Sequence, residues 1–180
     1  MALELNGTTG VSLVQDGVIT QDDLASGVGG KLVSYALLHD EKTNDTVGGT
    51  FTSGSWVTRD LNTEVTDQDN IVTVSSNEFT LQAGTYLIYW SAPAFNVERH
   101  RTLLNNNTDA LTWEGSSSYA AGSDQTRSFG SARVTISSAK VFQIQHRCTA
   151  TRASNGLGVN SGLGGSAPEV YTIVEIFKEA

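Results

Sequence analysis

Cysteine is almost absent from this sequence of 180 residues, since Cys148 is the only one. A single thiol cannot form an intramolecular disulfide, and no second cysteine or cluster of histidines is present to complete a zinc site. Long apolar runs are also missing: none approaches the roughly 18 residues that span a bilayer, and residues 1–10 lack the basic start and apolar stretch of a signal peptide. We therefore expect no metal or other cofactor, no membrane insertion and no classical secretion.

Positive charge is scarce as well. The chain has 11 Lys and Arg against 19 Asp and Glu, which gives a formal net charge of -8 and a pI near 4.7. Binding to a nucleic-acid backbone needs clustered Lys and Arg, and here these residues are scattered along the sequence. The composition therefore argues against nucleic acid as a partner.

The charge is divided unevenly between a short N-terminal segment and the rest of the chain. Residues 1–30 hold four acidic residues and no Lys or Arg, so half of the net charge lies in a sixth of the chain. This segment has too few apolar residues to form its own core, so it is either a disordered tail or an arm that docks on another surface, and its apolar residues favour docking. We predict a mostly extended N-terminal arm over residues 1–30 and one domain over residues 31–180. The anchoring residues of the arm would be Val11, Leu13, Val14, Val18 and Ile19.

From Lys31 onward, apolar and polar residues alternate with period two, which is typical of half-buried strands. Clusters of turn residues separate the strand patterns at positions 40–49, 66–70, 105–109 and 155–167. No window of eleven or more residues shows a sustained helical stripe, so we predict an antiparallel all-β sandwich or barrel. The predicted strands are Lys31–Leu38, Trp56–Asp60, Ile71–Val74, Glu78–Leu81, Tyr86–Trp90, Arg99–Leu104, Val134–Ile136, Phe142–Cys148 and Val170–Phe177.

The three histidines, His39, His100 and His146, are the candidate bases for a catalytic triad. No glycine-flanked nucleophile accompanies any of them, and His146 shares a strand face with Phe142, so a hydrogen-bonded core histidine is the expectation. The S-x-x-K pattern of Ser137 to Lys140 is a serine acyl-transferase signature only when it opens a buried helix, and here it lies between two strand patterns as a turn.

Asp67 and Asp69 offer oxygen ligands of the kind that calcium prefers. Calcium loops normally bring more carboxylates and a glycine at the bend, so an Asx turn is the better interpretation. We predict no catalytic residue and no metal site, and hence a protein that is not an enzyme.

Aromatic residues in loops are the usual stacking partners of sugars. Most tryptophans, tyrosines and phenylalanines here lie in or beside strand patterns, where packing is the first expectation. Trp113 and Tyr119 are the least core-like, and they fall in the predicted loop Thr108–Ser123. They are therefore the candidates for contact with a glycan.

Several blocks of the sequence between about Lys31 and the C-terminus form a recognisable combination. They are Ser34–Lys42, Gly54–Glu64, Phe79–Ile88, Glu98–Leu104, Thr126–Phe129, Ser131–Ile136, Phe142–Cys148 and Glu169–Lys178. Taken together, these blocks resemble the globular head domains of bacteriophage tail fibres and capsid ornaments.

These head domains are similar to the complement-head and tumour-necrosis-factor jelly roll, in which two antiparallel sheets follow a Greek-key order and three chains associate. The resemblance thus implies a two-sheet jelly-roll sandwich and a homotrimer. It supplies no catalytic residues. The last predicted strand is apolar on both faces, and an antiparallel sheet that faces water would show one polar face. We therefore expect Tyr171, Ile173 and Phe177 to lie at the interface between subunits.

The resemblance also implies a location on the virion surface, with synthesis in the host cytoplasm. A receptor-binding fibre typically has a long shaft, and the first head strand begins here by about residue 31, so we expect the head to lie close to its attachment point. The favoured function is a capsid decoration or cement protein whose arm binds the major capsid protein or another virion protein. The alternative is a tail-fibre or tail-tip protein that recognises a host surface glycan through loops such as Thr108–Ser123 or Asn155–Ala167.

Overall fold

Antiparallel strands dominate the part of the chain that the computed structural model describes, residues 32–180. The predicted arm, with Val11, Leu13, Val14, Val18 and Ile19, lies outside the described residues. The strands are β1 (Leu32–Lys42), β2 (Val57–Thr58), β3 (Thr63–Asp67), β4 (Val72–Ser75), β5 (Glu78–Leu81), β6 (Gly84–Phe95), β7 (Glu98–Asn106), β8 (Leu111–Ala120), β9 (Gln125–Ile136), β10 (Lys140–Cys148) and β11 (Glu169–Glu179).

The strands form two sheets. Sheet I has the order β3-β1-β11-β6-β9, and sheet II has the order β4-β5-β10-β7-β8, with β2 paired to β10. Neighbours in a sheet are often distant in sequence, as in the pairs β1 with β11 and β5 with β10, so the chain crosses repeatedly between the sheets. This arrangement confirms the predicted all-β, two-sheet antiparallel sandwich.

Period-two alternation places the core between the sheets. In β9, Ala132, Val134 and Ile136 are buried, while Arg133 and Thr135 between them are exposed. The main apolar cluster joins both sheets. Within it, the rings of Phe79 and Phe142 stack with their centroids 5.6 Å apart. Burial of these side chains is the main favourable term in the stability of the sandwich.

A second, smaller apolar cluster contains Phe51, Val97 and Leu157. Buried polar side chains contact both clusters: Trp90 of the main cluster donates from Nε1 to Thr102 Oγ1 at 2.9 Å, and His146 packs on Phe51. The interior is therefore two apolar regions in contact with a hydrogen-bonded polar group of residues.

Two strands lie where none was predicted. One is β3, and the other is β8, which occupies most of the predicted loop Thr108–Ser123. The sequence of β8 is rich in serine and contains Gly115, which favours a loop, but the strand is held along its length by pairing with β7. The prediction of a loop here was wrong, because pairing with a neighbouring strand outweighs local composition.

The two turns with possible chemistry have structural roles. The carboxylate of Asp67 accepts hydrogen bonds from the backbone N–H groups of Ile71 and Val72, both at 2.9 Å, so it holds the turn between β3 and β4, although these bonds span more residues than the predicted Asx turn. Lys140, at the end of the S-x-x-K pattern, begins β10, and its Nζ lies 2.6 Å from Asp109 Oδ1. The segment before it is a connection between β9 and β10, as expected.

Candidate functional site

The outer face of sheet I is apolar across its central strands, and we call it the sheet I face. Phe177 of β11 contacts Tyr35 of β1 at a centroid distance of 4.8 Å and Tyr89 of β6 at 6.0 Å. Tyr89 is 44% exposed, and Phe129 of β9, on the same face, is 58% exposed. An unpaired sheet of a water-exposed sandwich would carry polar side chains here, so this face has the composition of an interface.

A cavity of about 480 Å³ opens on the sheet I face. Its walls include Tyr89, Phe129 and Ile173, and one carboxylate, Glu175, lies among them. Glu175 accepts a hydrogen bond from the Tyr35 hydroxyl at 3.1 Å, and burial together with this bond raises the pKa of Tyr35. The cavity can take an apolar side chain of a neighbouring molecule.

The three residues predicted for the subunit interface do not share one environment. Ile173 and Phe177 are half-buried on the sheet I face, as the alternation of β11 requires. Tyr171 is 2% exposed, and its hydroxyl donates to the carbonyl oxygen of Thr46 at 2.7 Å. Its ring also lies against Gly158, so the chain's own loops cover Tyr171. Of the three predicted residues, Ile173 and Phe177 thus lie on the sheet I face, whereas Tyr171 is buried within the chain, because a strand pattern does not reveal which loop covers a residue.

A second surface lies on sheet II. It is a groove of about 860 Å³, which we call the sheet II groove. Three arginines, two aromatic residues and several hydroxyl side chains line it, on β7, β8, β10 and the segments beside them. The lining residues include Trp56, Arg99, Arg101, Ser117, Tyr119 and Arg147.

Tyr119 and Trp113 point to different sides of β8. They are six residues apart and would share a face in a regular strand. Ser117 lies opposite Arg101 and Glu114 lies opposite Leu103, so β8 contains one extra residue, a β-bulge, between these pairs. As a result Tyr119 lines the sheet II groove, whereas Trp113 packs against the main apolar cluster. Of the two predicted glycan contacts, Tyr119 therefore lies in the sheet II groove, while the partly buried Trp113 packs against the interior.

The buried histidines form a hydrogen-bonded chain. His100 Nδ1 lies 3.0 Å from His146 Nε2, and His100 Nε2 lies 2.8 Å from Thr126 Oγ1. In the tautomer in which the Thr126 hydroxyl donates to the carbonyl oxygen of Tyr119, His100 donates to Thr126 and His146 donates to His100. That assignment leaves His146 Nδ1 as an acceptor, and within the described residues this atom has no hydrogen-bond partner.

This chain of donors does not suit catalysis. His100 uses its ring N–H on Thr126 and therefore cannot accept the proton of that hydroxyl. Burial is the main cause, and the charge of Arg59 the next, of a lowered pKa in both histidines, to about 4 for His100. The histidines are thus neutral packing residues of the interior, as the sequence predicted for His146.

Arg59 is a buried cation that sequence analysis missed. It is fully buried, and its guanidinium donates to Thr172 Oγ1 at 3.0 Å and to the carbonyl oxygen of Leu157 at 2.8 Å. Burial lowers the pKa of Arg59 to about 10, while the charge of the buried Asp40 opposes that shift. The alternation of Val57, Arg59 and Leu61 was the available signal, because it places Arg59 on an inward position.

Among residues 32–180, no group of three or more His, Cys, Asp or Glu side chains is arranged to hold a metal ion. Within the same residues, no helix is long and apolar enough to cross a membrane.

Comparison with known proteins relates the chain to others by structure alone. No protein-family model matches the sequence, and no curated protein matches it significantly. The crystal structure of murine APRIL at pH 5.0 superposes with a TM-score of 0.55 at 8% identity, over 81% of this chain and 98% of that chain. The murine APRIL structure at pH 8.0 gives a TM-score of 0.52 at 8% identity over the same shares. The globular domain of zebrafish complement 1qA protein gives 0.49 at 15% identity, over 81% of this chain and 96% of that chain.

The likeness to murine APRIL establishes the fold. Residues 32–180 form a two-sheet antiparallel jelly roll like that of murine APRIL, as the sequence resemblance implied.

Proposed function

We propose that this protein is a non-enzymatic structural protein of a bacteriophage virion, in which three chains associate through the sheet I face. The favoured role is capsid decoration or cementing, with the N-terminal residues 1–30 as the anchor. The head then supplies a rigid trimer, and three anchors act together, so the avidity of the trimer exceeds the affinity of one anchor.

The exposed apolar sheet I face supports the association most directly. Tyr89 and Phe129 lie on the outer side of central and edge strands, beside a cavity that an apolar side chain can fill. Burying apolar surface is favourable by about 25 cal/mol per Å². A neighbouring chain that packs its own sheet I face, or the edge of that face, against this one would bury this surface. The number of three chains comes from the resemblance to complement-head and tumour-necrosis-factor jelly rolls.

The association is tested by a charge on the sheet I face. Phe129→Lys places an ammonium group where apolar burial is proposed, and it should shift the chain from trimer to monomer at micromolar concentration without unfolding it. Leu111→Lys is the matched control, since Leu111 is 53% exposed on a strand of sheet II. Sedimentation velocity gives the mass of each variant and circular dichroism its fold. If Phe129→Lys and the wild type have the same mass, the sheet I face is not the interface.

The anchoring role is tested on particles. Particles stripped of this protein should bind the full chain until their sites are saturated. They should not bind a variant with five substitutions, in which each apolar residue of the predicted anchor is changed to Ser: Val11, Leu13, Val14, Val18 and Ile19. The anchor is refuted if the variant decorates the particles as densely as the wild type.

A receptor-binding head is the second candidate, and the sheet II groove favours it. Tyr119, predicted as a glycan contact, lines this groove together with Trp56. Saturable binding of purified protein to host cells, with inhibition of phage adsorption, would support the receptor-binding role over decoration.

A further inference from the structure

The sheet II groove concentrates positive charge in an otherwise acidic protein. Arg99, Arg101 and Arg147 account for three of the 11 Lys and Arg residues, and none of the residues that line the groove in the described part of the chain is acidic. A net charge of -8 makes this local excess of arginine unusual for a solvated face. The groove is therefore suited to an anionic ligand.

Two of the arginines face each other. Arg101 of β7 and Arg147 of β10 are directly opposite in the antiparallel register, and Arg99 lies two residues along on the same side of β7. Like charges at opposite positions of neighbouring strands destabilise a sheet. Arg101 has one carboxylate neighbour, Glu114 at 3.0 Å, and that ion pair is about half exposed on both sides. Nothing in the groove compensates Arg147 in the same way within residues 32–180, so an anion bound there would relieve the repulsion.

The other lining residues indicate the kind of molecule that brings the anion. Tyr119 is 55% exposed and pairs across the strands with Arg99, and Trp56 is half-buried beside the groove. Exposed aromatic rings with a polar tip offer flat apolar surface to the C–H face of a sugar. Ser117, opposite Arg101, adds a hydroxyl that can donate or accept, as sugar hydroxyls require. The volume of about 860 Å³ lies within the range of roughly 300–1,000 Å³ of small-ligand sites.

We propose that the sheet II groove binds an acidic saccharide, that is, a sugar carrying a carboxylate or sulfate group. Arg101 and Arg147 hold the anionic group, because a guanidinium matches planar oxyanions with two parallel hydrogen bonds. Tyr119 and Trp56 contact the ring. The groove lies on sheet II and the proposed trimer interface lies on sheet I, so saccharide binding does not require the trimer. The biological role of this binding rests on the receptor-binding candidate proposed above.

The test uses three ligands with one common core: 3′-sialyllactose with a carboxylate, 3′-sulfolactose with a sulfate, and neutral lactose. Isothermal titration with the full chain should show saturable binding of at least one acidic ligand, with a Kd at least tenfold lower than that of lactose. Which acidic ligand binds tighter decides between carboxylate and sulfate. Raising the salt concentration should weaken the binding, since the arginines are exposed.

Two variants assign the binding to the groove. Arg147→Gln should raise the Kd of the preferred acidic ligand at least tenfold, while Lys140→Gln, which removes one charge from the same strand outside the groove lining, should change it less than twofold. Arg147→Gln also relieves the repulsion with Arg101, so its melting temperature at low salt should equal or exceed that of the wild type. This separates loss of binding from loss of folding.

Several results would overturn the proposal. They are the absence of binding by both acidic ligands, equal affinity for lactose, or an unchanged Kd in Arg147→Gln. Tighter binding of the single-stranded oligonucleotide dT10 than of either acidic sugar would assign the groove to nucleic acid instead. Failure of these titrations, with saturable binding to host cells retained, would refute the acidic-saccharide site and leave the receptor-binding candidate intact.

Discussion

Acidification should destabilise the head through its two buried histidines. His100 and His146 are 3% and 0% exposed, and they share one hydrogen bond of 3.0 Å that only one proton can occupy. Burial, with the charge of Arg59 as a further cause, lowers the pKa of His100 to about 4 and that of His146 well below its usual value. In the unfolded chain both should titrate near 6.5. The folded pKa values are thus the lower ones, so the stability is fully present above about pH 6.5 and falls as the pH drops towards the folded values.

The magnitude follows from the number of protons. Near pH 5 the unfolded chain binds more protons than the folded chain at both sites, which gives a slope of up to about 3 kcal/mol per pH unit. Between pH 6.5 and pH 5 the cumulative loss for the pair is at most about 3 kcal/mol, a large share of the 5–15 kcal/mol typical of a domain. Urea unfolding followed by tryptophan fluorescence, at one protein concentration and at several pH values, measures this directly.

The variant His100→Gln keeps hydrogen-bonding groups in place and removes one titrating site. Its free energy of unfolding should fall less steeply with decreasing pH, with roughly half the slope of the wild type near pH 5. His39→Gln is the control, because it removes a histidine that lies outside the buried pair, in β1 beside Glu41. A wild-type free energy that stays constant from pH 7 to pH 5, or an identical slope in His100→Gln, would refute the account of the buried pair.

Two further substitutions test the packing and the turn. Gly130→Ala would place its Cβ about 2.0 Å from the Trp90 ring, so the indole must move. We expect the free energy of unfolding, measured by chemical denaturation, to fall by about 1–3 kcal/mol. The control Ser131→Ala, at the exposed neighbouring position, should lower it by less than about 0.5 kcal/mol. A loss as small as that of the control would show that the interior accommodates the methyl group. Asp67→Ala removes the acceptor of two backbone N–H groups and should lower the melting temperature by an amount equivalent to about 1–3 kcal/mol, whereas Asp69→Ala should have little effect. Equal melting temperatures for the two aspartate variants would contradict the role of the Asp67 carboxylate in holding this turn.

The strands of the core were predictable because alternation of apolar and polar residues is a local property of the sequence. Phe142–Cys148 and Val170–Phe177 lie within β10 and β11 for this reason. β8 was not predictable in the same way, since its serines and Gly115 resemble a loop and its stability as a strand comes from hydrogen bonds to β7. A single sequence contains no direct record of such long-range pairing.

The candidate site was predictable only in part. Tyr119 and Trp113 were both singled out for their aromatic character, but the β-bulge in β8 that sends them to different sides of the strand cannot be recognised in the sequence. The grouping of Arg99, Arg101 and Arg147 needs the register of β7 with β10, which brings together residues nearly fifty positions apart. These three arginines, which are scattered in the sequence, are therefore neighbours in the folded chain.

The most direct test of the central claim is the mass of the full chain in solution. Sedimentation velocity at micromolar concentration and neutral pH should give three times the chain mass of 19.1 kDa, because the proposed association buries the sheet I face, which is exposed among residues 32–180. A species with the mass of one chain, folded and stable over the same concentration range, would contradict the proposed assembly.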